Sequence, residues 1–235
     1  MLDVLYDDNH LLVVNKPAGV PTQGAAEGED SLVVRVKEYL KRKYNKPGNV
    51  YVGVVSRLDA LVTGVIVLAR TSKAAARLSE QFRESAVAKT YWAVVEGCPP
   101  QQSARLVNWV AKDDRHHRMV VVDSDGRLQA QEARLQYFRL ANLPRGKTLL
   151  KVELETGRKH QIRLQLSQHG FPIVGDPKYG SSTPFPQGIA LHARGLQFAH
   201  PTLRTPLSFV APLPKSWRSV SLDEVQALKF EAESP

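Results

Sequence analysis

Asp59 lies in the segment Ser56-Arg57-Leu58-Asp59-Ala60-Leu61-Val62-Thr63-Gly64, a short polar interruption between two apolar, β-prone runs. A carboxylate in such a turn is held at the rim of a sheet with little freedom to move, and rigid placement suits nucleophilic or acid–base chemistry. A turn aspartate that simply bonds its own backbone two residues on fits the same position. Two distant side chains could join it. Arg163 carries a permanent charge that can grip a carboxylate, or face solvent on a basic helix. Tyr91 can be a packed core aromatic or offer its ring to a planar ligand. His116 and His117 are adjacent, but they lack the cysteines or spaced carboxylates of a metal site. Cys98 is the single cysteine, so the chain alone forms no disulfide and no thiolate metal centre. Phosphate loops of the Walker or dinucleotide type are absent. The expectation is chemistry without a metal or cofactor.

The elements that must position these residues follow from hydrophobic pattern and turn chemistry. Val4 to Tyr6 and Leu11 to Val14 flank Asp7-Asp8-Asn9 and predict a hairpin. Residues 22 to 30, rich in Gly, Glu and Ala, predict a loop. Asp30 or Ser31 can cap a helix with Leu32, Val33, Val36 and Leu40 on one face, ended by Pro47 and Gly48. β character returns from Tyr51 and again from Val65 to Ala69. Ser72 is the expected cap of a helix carrying Ala75, Leu78 and Phe82. Further strands are expected at Lys89 to Glu96, Met119 to Val122, Ala133 to Phe138 and Leu149 to Leu154. Residues 160 to 169 alternate like a strand, but Gly170 stands where a helix would stop, and a short helix is the preferred reading. Ser221-Leu222-Asp223-Glu224 is a capping box for a terminal helix. Consecutive strands with few helices predict an α+β fold on a mixed, mostly antiparallel central sheet, with helices and loops around a cleft.

Arg57-Leu58-Asp59 followed by Thr63-Gly64 and a β run resembles the catalytic motif of the RluA-type RNA pseudouridine synthases. Lys89-Thr90-Tyr91-Trp92-Ala93-Val94-Val95-Glu96-Gly97 resembles that family's second motif. Glu155-Thr156-Gly157-Arg158-Lys159-His160-Gln161-Ile162-Arg163 resembles its third. Asn15-Lys16-Pro17-Ala18-Gly19, Gly175-Asp176-Pro177-Lys178-Tyr179-Gly180 and Leu191-His192-Ala193 match as well, so the resemblance spans nearly the whole chain. It implies one catalytic domain over residues 1–235, without a separate N-terminal RNA-binding module. It implies isomerisation of specific uridines in ribosomal or transfer RNA, with Asp59 as the reacting carboxylate, Tyr91 packed on the uracil and Arg163 paired with Asp59. Leu166 would line the base pocket, and Arg57 would occupy the gap left by an extruded nucleotide. His160, Arg158 and Lys159 would face the base pocket or the RNA.

The chemistry suits those residue types. The isomerisation breaks the bond from ribose C1′ to N1, turns the base and joins it through C5, with no net change in atoms. Asp59 could add to the base or act at the sugar, and both routes need it ionised, which a nearby guanidinium favours. Three positions depart from the family pattern: Ser56 and Gln165 each stand where a His is usual, and Val62 where a small polar residue is common. They leave room for a non-catalytic RNA-binding relative; a hydrolase using Asp59 would need a water-activating His or a metal beside it.

A surplus of 32 Lys and Arg over 23 Asp and Glu leaves a formal charge of +9, which favours a polyanionic partner such as RNA. Basic residues cluster at Lys41, Arg42, Lys43 and Lys46, at Arg115 to Arg118, and at Arg158 and Lys159. No apolar run approaches the roughly 20 residues of a membrane span, and the acidic, mixed N-terminus is unlike an export signal. A cytoplasmic monomer is the expectation.

Overall fold

The computed structural model describes residues 2–24, 29–123 and 129–220. The expected opening hairpin is β1 (Asp3–Asp7) and β2 (Leu11–Lys16), turned by Asp8, whose Oδ1 accepts from the N–H groups of His10 and Leu11 at 2.8 and 2.6 Å. β2 shows no polar alternation because both of its faces are covered. Leu12 and Val14 share a core with Leu32, Val36 and Leu40 of α1 (Leu32–Lys43). Leu11 and Val13 lie instead with Ala74 and Leu78 of α2 (Ser72–Arg83). β3 (Gly53–Val54) is shorter than the β character from Tyr51 suggests, and β4 (Thr63–Ala69) is buried along its whole length.

Both helices begin on side-chain caps. Ser31 caps α1 by accepting from Val34 N–H, and α1 ends at Tyr44, ahead of Pro47. In α2 the cap is Thr71, one residue before the expected Ser72: its hydroxyl accepts from Ala74 N–H at 3.2 Å, and Ser72 is the first helical residue. The ambiguous stretch near residue 160 is α3 (Gln161–Gln168), and Gly170 follows its end in the left-handed conformation at φ 86°. The capping box at Ser221–Glu224 lies outside the described residues.

The remaining strands are β5 (Ala88–Glu96), β6 (Ser103–Asp113), β7 (Arg118–Val122), β8 (Gln131–Leu143), β9 (Lys147–Leu154), β10 (Leu191–Ala199) and β11 (Pro206–Val210). The sheet runs in the order β1-β2-β4-β10-β5-β9-β8-β6-β7, with β11 beside β10 and β3 beside β4. Among the described residues its ladders are antiparallel except where β10 meets β4, through His192↔Thr63 and Ala193↔Gly64. This is the expected α+β class with a mixed, mostly antiparallel sheet. The parallel contact is close: a Cβ on Gly64, where φ is 117°, would lie 2.2 Å from the Ala193 carbonyl oxygen. It joins the two halves of the sheet directly beside the segment that carries Asp59. No described helix is long and apolar enough to cross a membrane.

Candidate active site

The turn carrying Asp59 is tied down residue by residue. Thr22 donates its hydroxyl to the Leu58 carbonyl at 2.8 Å and accepts from the Leu58 N–H at 3.1 Å. Val62 N–H bonds the Asp59 carbonyl, Gly19 N–H bonds that of Ala60, and Ile189 N–H bonds that of Leu61. Lys16 is fully buried, and its Nζ donates to the carbonyls of Pro17, Val20 and Ala60 at 2.9, 2.8 and 3.2 Å. Burial pulls this ammonium down to about 8, while the charge of Asp59 acts in the opposite sense. Neither Lys16 nor Thr22 was assigned a role from sequence. The only signal was Lys16 within the Asn-Lys-Pro-Ala-Gly match.

Opposite the turn stands Arg163, on α3 and 4% exposed. Its Nη1 donates to Asp59 Oδ2 at 3.1 Å. The fork formed by Nε and Nη2 grips a different carboxylate, fully buried Asp176, at 2.6 and 2.9 Å, and the guanidinium lies 5.0 Å from the centre of the Tyr179 ring. The expected partnership of Arg163 and Asp59 is present, but as a single hydrogen bond. The two-pronged grip belongs to Asp176, whose motif Gly175-Asp176-Pro177 carries no role for it in the sequence. Burial alone would lower the Arg163 pKa; hydrogen bonding to Asp176 and the charges of both carboxylates outweigh it and leave the net shift upward. The guanidinium is thereby fixed as a cation beside Asp59.

Asp59 and Arg163 line a cleft of about 800 Å³ together with Tyr91, His160, Arg158, Lys159 and Arg57. Burial raises the Tyr91 phenol, and the Asp59 charge raises it further, so it is a neutral donor at physiological pH. His160 Nε2 stands 3.7 Å from Asp59 Oδ1, and its Nδ1 is 2.8 Å from the Tyr179 hydroxyl. Arg57, Arg158 and Lys159 are exposed, and Arg57 makes no ion pair among the described residues.

Leu166 stands behind the cleft lining, not in it as expected. It is fully buried in the core cluster that also holds Val62 and Ile162, and the apolar cleft wall comes from residues such as Val62, Leu154, Ile162 and Leu191. On α3, Leu166 lies one turn beyond Ile162, deeper along the buried helix than the residues at its cleft-facing start. Gln165 also does not flank the cleft. It is buried, with Nε2 directed at the Leu106 and Ala133 carbonyls and at Asn108 Oδ1, so this departure from the family pattern pins α3 to β6 and β8. Ser56 and Val62 do line the cleft. Of the other basic clusters, Lys43 is paired with Asp7, Arg42 with Glu38 and His116 with Asp113.

The model for the RNA pseudouridylate synthase family matches residues 10–168. Ribosomal large subunit pseudouridine synthase D of Xanthomonas campestris is 37% identical over 234 residues, covering 91% of this chain and 66% of that protein. The protein of the same name from Xylella fastidiosa is 36% identical, covering 99% and 72%. The chain thus spans about two thirds to three quarters of the length of these relatives. Among solved structures, human RNA pseudouridylate synthase domain containing 4 superposes with a TM-score of 0.76 at 28% identity, covering 95% of this chain and 93% of that one. With motifs, fold and relatives in agreement, the chain belongs to the RluA-type family of RNA pseudouridine synthases, which are isomerases.

Proposed function

We propose that this protein converts specific uridines of large-subunit ribosomal RNA to pseudouridine, with Asp59 as the catalytic carboxylate acting on a nucleotide swung out of its stack. The reading is carried by one observation: Asp59, Tyr91 and Arg163, from three separate parts of the sequence, line a single cleft, with the guanidinium bonded to the carboxylate at 3.1 Å. Arg163 holds Asp59 Oδ2 and sets a fixed positive charge beside it for attack at the base or assistance at the ribose. Tyr91 packs against the uracil ring, and Arg57, exposed at the cleft, fills the vacancy left in the RNA. Extrusion of the base costs a few kcal/mol, which such a refilling contact offsets in part. Arg158 and Lys159 contact phosphates. The protein acts as one catalytic domain, a monomer in the cytoplasm. Ribosomal RNA is favoured over transfer RNA by what the relatives are named for.

Deleting the gene and mapping pseudouridine across total RNA tests this. The expected result is loss of one or more modifications in large-subunit ribosomal RNA, restored by the wild-type gene and not by Asp59→Ala. Loss confined to transfer RNA would replace the substrate. An unchanged pseudouridine map would refute the activity.

A further inference from the structure

His160 has an unusual setting. Its backbone is left-handed at φ 53°, immediately before α3, and its ring meets that of Tyr179 edge-on at 5.7 Å. The Tyr179 oxygen already accepts the Met119 N–H at 3.1 Å, and among the described residues the acceptor within reach of its own proton is His160 Nδ1, at 2.8 Å. A neutral imidazole that accepts at Nδ1 carries its proton on Nε2. That nitrogen faces Asp59 Oδ1 at 3.7 Å, beyond hydrogen-bonding distance, whereas Oδ2 is held by Arg163. The two carboxylate oxygens are therefore unequal: one is tied and the other is open.

We propose that His160 is a positioning residue that keeps Asp59 Oδ1 available for reaction. As a neutral ring it stands beside this oxygen without binding it; on gaining a second proton it captures Asp59 as an ion pair and halts turnover. The proposal rests on the reading of Asp59 as the reacting carboxylate. The charged groups facing the ring are Asp59 from the turn, Arg163 from α3, neighbouring Lys159, and Lys178 from the turn at Pro177–Tyr179. Burial opposes the second proton most strongly, the three cations add to that, and Asp59 alone favours it, so the net effect keeps the ring neutral below the ordinary histidine range. Loss of activity is therefore expected on the acid side, as pH falls through the His160 titration.

Two measurements test this. Nitrogen-15 NMR of the imidazoles in the free protein should show His160 with its proton on Nε2, and Tyr179→Phe should release it into a mixture of tautomers. A wild-type proton on Nδ1, or a spectrum indifferent to Tyr179→Phe, would overturn the proposal. Single-turnover pseudouridine formation on unmodified large-subunit ribosomal RNA should then be followed against pH for wild type and His160→Asn, chosen because Asn tolerates left-handed backbone. The wild-type rate should fall about tenfold per pH unit on the acid side, with the variant slower at neutral pH but its acid limb displaced to lower pH. Coincident acid limbs would refute the gate. A wild type inactive on every RNA would instead count against the proposed function, and the NMR result would still decide whether the tautomer is held.

Discussion

Arg163 divides its guanidinium between two carboxylates, Asp176 and Asp59, and on the proposed reading the division separates stability from activity. Asp176 is fully buried and takes the fork, so Asp176→Asn leaves a buried cation short of its partner and should cost about 3–5 kcal/mol in urea unfolding. Asp59→Asn leaves that fork intact at a partly exposed site. It should shift stability by less than about 1 kcal/mol while abolishing pseudouridine formation; comparable losses of stability in both variants would contradict this division. Asp59, Tyr91 and Arg163 were legible in the sequence because they sit in three motifs whose order and spacing are distinctive. Asp176, Lys16 and Thr22 were not assigned, because their contribution is a charge or hydroxyl delivered to a distant backbone or side chain, and only the fold shows what it meets. Leu166 shares a face of α3 with cleft-lining Ile162 but lies one turn deeper, and its place in a motif does not state that depth.

At the scale of elements, the parallel contact of β4 with β10 carries a buried histidine. His192 accepts the Thr63 hydroxyl proton at Nδ1, 2.8 Å away, and Nε2 faces the Ala211 carbonyl at 3.3 Å. Burial depresses its pKa to about 4 from 6.5. The folded value lies below the unfolded one, so in acid the unfolded chain takes up the proton first. Stability is then lost as pH falls from 6.5 towards 4, by up to about 3 kcal/mol from this group. Urea unfolding should show about 2 kcal/mol of that loss between pH 7 and pH 5, and His192→Gln should remove most of the difference; an equal loss in the variant would assign it elsewhere. Strands whose apolar runs are continuous, such as β2, β4 and β5, were legible. β6, β10 and β11 were not: Arg105, Asn108 and Lys112 interrupt the first, His192, Arg194 and Gly195 break the second, and β11 is short and half exposed. Their β state comes from ladders on their neighbours more than from their own composition.

Across the whole molecule the surplus of +9 predicts RNA binding with a steep salt dependence. Replacing Arg158 or Lys159 by Ala should lower the slope of log Kd against log salt by about 0.7–0.9 for each phosphate contact removed, measured by filter binding to unmodified large-subunit ribosomal RNA. An unchanged slope would exclude those side chains from the backbone contacts. A hydrogen bond beside the proposed catalytic turn joins residues 129 apart in the chain, Thr63 and His192, with Ile189 closing on Leu61 from the same late segment. At ~5–20 residues per second of translation, the ribosome needs roughly 6 to 26 s between emitting one partner and the other. A nascent chain therefore spends that interval with the turn of Asp59 on an unfinished scaffold, and on the proposed reading competence arrives late in synthesis, all at once.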